Sequence, residues 1–132
     1  MAIREFAESR TEMEKLLHEE TIGYLGLCRG DMPYVVPLNY AYAEGSILFH
    51  CAISGMRLDF LRANPNVCFS VGRQSGDIQR HAGGNPCHVD SESVICYGTP
   101  RIIDEPRERQ TALNTFNCCF RSDAKEITLE EA

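Results

Sequence analysis

The chain has little positive charge to spare and no run of basic residues: 13 Lys and Arg stand against 19 Asp and Glu, a net charge of −6. Nucleic acid is excluded as a natural partner, because neutralising phosphates supplies most of that affinity. Apolar runs long enough to span a bilayer are absent, and the N-terminus MAIREFAESR lacks the apolar core of an export signal. No membrane association and a cytoplasmic location are the expectation. CxxC pairs are also missing, although the chain carries seven cysteines. Their number is odd and their spacing irregular, and Cys28, Cys51, Cys68 and Cys96 fall inside apolar runs. Reduced thiols packed as small hydrophobes fit this better than a disulfide framework. Zinc would have to be assembled from Cys87, His88, His81, Cys118 and Cys119 without any of the usual local spacings. No metal is expected.

What remains is an ordinary globular composition, 43% apolar and 24% charged over 132 residues. That is enough chain for one domain, 1–132, with a real core. Ser9-Arg10-Thr11-Glu12 reads as a capping box ahead of a helix with Met13, Leu16 and Leu17 on one face. A strand follows over Thr21 to Arg29, then a turn at Gly30-Asp31. Pro33 and Pro37 interrupt the next strand, PYVVPLNYAY, and neither can donate to a ladder. Each must therefore sit at an edge, a bulge or a strand start. A bulge near Pro37 would free backbone groups for a ligand. Glu44-Gly45 marks a turn, and Ile47-Leu48-Phe49 can return as the antiparallel partner.

The pattern changes after His50. Ser54-Gly55 precedes a helical segment with Leu58 and Leu61 three apart, closed by Asn64-Pro65. A helix N-terminus offers unpaired amides and partial positive charge, so Ser54, the Gly55 amide and Arg57 can receive a phosphate. Read from spacing alone, the same residues also make a plain hairpin with a connecting helix, the commoner case. Asn66 to Val71 is another strand, and Gly72 to Glu92 reads as a long polar connection, a lid or binding loop. A strand through Ser93–Ile103, kinked at Gly98-Thr99-Pro100, leads to a helix capped at Asp104 or Glu105. Its stripe of Ala112, Leu113, Phe116 and Phe120 suits core or dimer packing. Thr128-Leu129-Glu130-Glu131 is a second capping pattern just before the sequence stops.

Three of these stretches together carry a resemblance: Pro33-Tyr34-Val35-Val36-Pro37-Leu38-Asn39-Tyr40, then Phe49-His50, then Gly55-Met56-Arg57-Leu58 up to Asn64-Pro65. With Ser93-Val94-Ile95-Cys96-Tyr97-Gly98, they resemble the flavin-nucleotide-binding split-barrel superfamily, the pyridoxamine-phosphate-oxidase-like group. The branch most similar is that of the nitroimidazole-resistance (Nim-type) proteins, and the likeness runs from Glu12 to Phe120. It implies a mainly β fold, an antiparallel split barrel with flanking helices, which binds FMN at the interface of a homodimer. It also implies a final strand after the last helix, which this sequence does not contain.

The resemblance assigns roles by position. Ser54, Gly55 and Arg57 would hold the FMN phosphate, with Met56 standing where an Arg is common and Arg62 as an alternative contact. Val36, Pro37, Leu38 and Asn39 would meet the polar edge of the ring, and Phe49, Cys51 and Leu58 its apolar body. His50 matches a histidine that lies beside the flavin in the Nim-type branch and would serve as proton donor. Without the resemblance, His50 reads as a hydrogen-bonded strand-end histidine. The implied activity is FMN-dependent reduction of a small molecule, with nitroaromatics as the acceptor class and NAD(P)H as a possible electron source. Two other readings stay open. Relatives of the fold bind haem, for which His50 or Cys51 could be an axial ligand, and a flavin can also be held without turnover.

Overall fold

Leu16 and Leu17, buried to 6% and 5% exposure, pin the first helix onto a sheet whose other face is open. The computed structural model describes residues 10–52, 54–79 and 88–120. Helix α1 (Arg10–Glu19) leads into β1 (Ile22–Arg29) and β2 (Met32–Asn39), an antiparallel hairpin turning at Gly30, where φ is 61°. Next come β3 (Ala41–Ala43), β4 (Ser46–Leu48), helix α2 (Met56–Ala63), β5 (Val67–Gln79), β6 (His88–Gly98) and helix α3 (Pro106–Phe120). One sheet has the order β2-β1-β5-β6, and a second pairs β3 with β4. The fold is mainly antiparallel β with flanking helices, as expected, and among the described residues the sheet is not closed.

Strand alternation divides the four-stranded sheet into two unlike faces. Leu25, Leu27, Leu38, Phe69, Val71 and Val94 point inward, all at or below 8% exposure. They pack against α1 and against Leu58, Phe60 and Leu61 of α2. Phe60 is held further by the Tyr34 ring at 5.2 Å and by the Arg29 guanidinium 4.6 Å over its face. At the far end Arg73 reaches Glu92 at 2.6 Å, and it also pairs with Glu19 and Glu20 around α1. That cluster ties helix to sheet.

Two sequence expectations for this region need correction. The strand PYVVPLNYAY is not continuous. Tyr40 falls between β2 and β3, its amide bonding Thr21 O at 3.1 Å and its hydroxyl donating to Leu17 O at 2.8 Å. Those bonds bury it to 1% exposure, and burial pushes its phenol up to about 12. The chain changes sheets at that residue. Secondly, no bulge forms at Pro37, because β1 and β2 pair without interruption from Ile22↔Asn39 to Arg29↔Met32. Both prolines are accommodated because β2 is an edge strand. Its outer edge, rather than a bulge, leaves backbone groups unpaired within the sheet.

The polar connection Gly72 to Glu92 also reads differently in three dimensions. Pairing continues through Gly72↔Ser93, Arg73↔Glu92, Gln74↔Ser91 and Ser75↔Asp90 to Gln79↔His88, with a register shift before the last pair. The connection's described residues, 72–79 and 88–92, pair as two legs of a long antiparallel arm rather than lying irregular. His81 and Cys87 lie outside the described residues. The strand expected over Ser93–Ile103 starts earlier, at His88, and ends at Gly98, so 99–103 is connecting chain. Other local signals hold. Glu44 and Gly45, both with positive φ, close the β3–β4 hairpin, and Glu105 accepts from the Arg107 and Glu108 amides to cap α3. The second capping pattern at Thr128 lies outside the described residues.

Candidate functional site

Downstream of β4 the chain runs along one wall of a cleft of about 490 Å³. Phe49, His50, Cys51 and Ala52 form that wall, and Leu58, Leu61 and Arg62 of α2 continue it. The opposite wall comes from Pro100–Asp104 and from Arg109, Ala112, Leu113 and Phe116 of α3. Its volume lies within the range of about 300–1,000 Å³ typical of small-molecule sites, and an apolar lining with a few polar groups is typical too. His50 is exposed and meets Phe116 edge to face, with ring centroids 4.9 Å apart. Phe116 is itself buried to 8% exposure, so the imidazole leans on a fixed surface.

The charges on the lining are not equivalent. Arg101 pairs with Glu108 at 2.6 Å, a bond that holds the Glu108 carboxyl below the usual carboxylate range. Arg109 donates to the backbone oxygens of Ile103 and Asp104 at 3.4 and 3.2 Å, with the Asp104 carboxylate 4.0 Å away. Arg62 has no hydrogen bond or ion pair among the described residues.

The start of α2 has separate chemistry. Its N-cap is Gly55 at φ 134°, a conformation that L side chains rarely adopt, and no side chain caps the first turn. Ser54 is exposed and does not fill that role. Arg57 is half-buried, and its Nε is sealed from solvent without a hydrogen-bond partner. Such a donor costs about 1–3 kcal/mol when left unpaired, and a bound anion would satisfy it. The first turn of α2 thus combines uncapped amides with a guanidinium N–H that lacks a partner, donor types that suit a phosphate group.

The positions singled out in the sequence thus separate into three places. Phe49, His50, Cys51 and Leu58 come together on the cleft. Ser54, Gly55 and Arg57 stand at the start of the adjoining helix and do not line it. Val36 and Leu38 turn into the core, while Pro37 and Asn39 point to the open sheet face. The wall made by Arg101, Ile102, Ile103 and Arg109 was not anticipated. Its one sequence signal is the stripe Ala112, Leu113, Phe116, which serves the cleft as well as packing.

The open sheet face is the other unusual surface. Its outward positions run through Ile22, Tyr24, Gly26 and Cys28 on β1 and Pro33, Val35, Pro37 and Asn39 on β2. The register continues them through Cys68, Ser70, Gly72 and Gln74 on β5 to Ser91, Ser93, Ile95 and Tyr97 on β6. None is charged, in a chain where 24% of residues are. Tyr97 is 82% exposed and Val35 63%. Large exposed apolar patches of this kind mark interaction surfaces.

Comparison with known proteins decides the family. A model of the pyridoxamine 5'-phosphate oxidase family matches residues 9–129. The chain belongs to that family. Among solved structures, a candidate 5-nitroimidazole antibiotic resistance protein from Bacteroides thetaiotaomicron superposes with a TM-score of 0.81 at 21% identity. It covers 95% of this chain and 74% of that one. An FAD and heme binding protein from Mycobacterium smegmatis gives 0.79 at 17% identity, covering 95% and 62%. At such identities the likeness establishes the split-barrel fold alone. An uncharacterised protein from Rhizobium meliloti is 31% identical over 71 residues, 54% of this chain and 46% of that relative. The chain thus matches about half the length of that curated relative. No helix among the described residues is long and apolar enough to cross a membrane.

Proposed function

We propose that this protein is a flavin-dependent oxidoreductase, with FMN as its flavin, a small nitroaromatic as acceptor and NAD(P)H as electron source. The observation that carries the reading is an uncapped, glycine-started helix whose first turn holds the unpartnered Arg57 Nε, adjoining an apolar cleft lined by His50. Arg57, the Gly55 amide and Ser54 would hold the phosphate, and Phe49, Cys51 and Leu58 would border the ring. The unpaired outer edge of β2 would offer backbone donors and acceptors to the polar edge of the ring. A bound flavin supplies two-electron transfer. The chain's own part is to orient, to exclude water with the apolar cleft walls, and to deliver a proton from the His50 imidazole to the reduced acceptor. Family membership supports this, as do structural neighbours that bind FAD and heme or are linked to nitroimidazole resistance.

The charge-free sheet face supports a homodimer, whose two copies would complete the flavin site between them. Cytoplasmic location is part of the same proposal.

The absorption spectrum of freshly purified protein tests the reading. Flavin bands that NAD(P)H bleaches, with FMN released on denaturation, are expected. A Soret band would instead favour haem at His50 or Cys51, released FAD would correct the choice of flavin, and a bound flavin that never bleaches would make this a passive carrier.

A further inference from the structure

The geometry points to Arg62 as the residue that selects the acceptor: we infer that the cleft takes planar aromatic acceptors bearing a single carboxylate, with the Arg62 guanidinium holding that group. This rests on the reading of the cleft as the acceptor site. The argument is one of charge accounting. Three arginines and one aspartate line the cleft. Arg101 is spent on Glu108, and Arg109 on Asp104 and two backbone oxygens. Arg62 alone among these cations has no described partner, which leaves the lining with one unanswered positive charge. The chain as a whole carries −6, so this charge runs against the background.

Its surroundings fix the rest of the ligand. Leu61 lies next to Arg62 on the same helix, and Ile102, Leu113 and Phe116 supply flat or branched apolar surface, while Phe49 and Leu58 stay with the flavin ring. An apolar slot with one cation at its margin matches a ring with one anionic substituent. A dianion would leave its second charge against Asp104 or unpaired, and a neutral ring would leave Arg62 idle. Guanidinium binds carboxylate in a planar two-point fork, which also fixes the ring's orientation in the slot. His50, in edge contact with Phe116, lines the same cleft. Arg57 is the contrasting cation, because it stands off the cleft lining and serves the cofactor.

Titrating purified protein with 4-nitrobenzoate and 4-nitrobenzamide by calorimetry tests this, using wild type, Arg62→Gln and Lys15→Gln. The two ligands differ in charge and share the ring. Wild type should bind the carboxylate at least tenfold more tightly than the amide. R62Q should lose about tenfold to a hundredfold on 4-nitrobenzoate alone, while K15Q, which removes an exposed cation of α1 that does not line the cleft, should change neither ligand by more than about twofold. The same proteins are titrated with FMN and riboflavin. If R62Q weakens FMN and spares riboflavin, with 4-nitrobenzoate unaffected, Arg62 holds the cofactor phosphate and the inference is overturned. Equal binding of the two nitro compounds by wild type, or no binding of either, also overturns it. Failure of both flavins to bind would sink the proposed function and leave the benzoate comparison intact.

Discussion

His50 stands edge-on to Phe116, ring centroids 4.9 Å apart and planes at 79°, so the proton donor proposed for this site is braced by helix α3, far along the chain. The contact joins the two walls of the cleft. His50→Ala should leave flavin affinity within about twofold, because the imidazole is exposed and contributes little to packing. Turnover should fall by about 10²–10⁴, the usual cost of losing a positioned general acid. Phe116→Leu keeps the core filled but removes the flat brace, and should give a smaller loss with its pH profile unchanged in shape. Equal turnover by wild type and His50→Ala across pH would remove His50 from the mechanism.

Local chemistry was readable wherever one residue forces a conformation. The prolines of β2 narrowed the choice to an edge, a bulge or a strand start, of which the edge is realised, Glu44-Gly45 demanded a tight hairpin, and Glu105 ahead of Pro106 announced α3. The break at Tyr40 was not readable. It depends on a hydroxyl reaching Leu17 O from 23 residues away, and nothing around Tyr40 signals it. The β5–β6 arm was hidden for a different reason. Its outward residues are Gly, Gln and Ser, and its inward pair is the ion pair Arg73–Glu92, so the apolar alternation that betrays a strand is missing. Half of the candidate site was legible by resemblance, on the segment from Phe49 to Leu58. The other wall exists only because α3 folds back over that segment, a tertiary event with no local signature.

Gly23 offers a test of packing. A Cβ built there would meet the Phe69 ring 2.2 Å away, far inside contact distance. Phe69 cannot readily yield, being 4% exposed and stacked edge-on against Tyr40 at 5.1 Å. Gly23→Ala should therefore destabilise the protein by about 1–3 kcal/mol, the range for overpacking a core. Thermal unfolding measures it. Gly72→Ala is the control, since its Cβ would find no atom nearer than 3.5 Å. A similar melting temperature for both variants would mean that the β1–β5 interface is looser than described.

Arg57 separates phosphate from ring recognition. Arg57→Ala should weaken FMN by about 10- to 150-fold, the equivalent of a charge-assisted hydrogen bond worth roughly 1.5–3 kcal/mol. Riboflavin, lacking the phosphate, should hardly respond. Relief of the unpaired Nε acts in the same direction: the variant without ligand should be no less stable than wild type, because a buried donor without a partner has been removed. Met56→Arg, at a position 57% exposed, should tighten FMN and spare riboflavin. Parallel losses for both flavins would move the phosphate site elsewhere.

The open sheet face carries the last prediction. Tyr24 and Pro37 stand beside Ser70 and Ile95 in one row across the four strands, and Gly26 and Val35 beside Cys68 and Tyr97 in the next. With strands about 4.8 Å apart and residues rising about 3.4 Å, the face covers roughly 450 Å². That is about half of the ~800 Å² per partner that a standard interface buries, so its rim must contribute the remainder. A second copy of the chain is the proposed occupant. A face without charges has no like-charge repulsion to overcome against itself, and an isologous pair uses one patch twice. Wild type should sediment as a dimer at micromolar concentration. Ile95→Glu with Tyr97→Glu should sediment as a folded monomer, because both side chains are already exposed in one protomer, at 57% and 82%. Its melting curve should stay cooperative, and its FMN affinity should fall if both copies build the flavin site. A wild-type monomer at that concentration would count against both the interface and the shared site, whereas a dimer untouched by the two glutamates would place the interface on another surface.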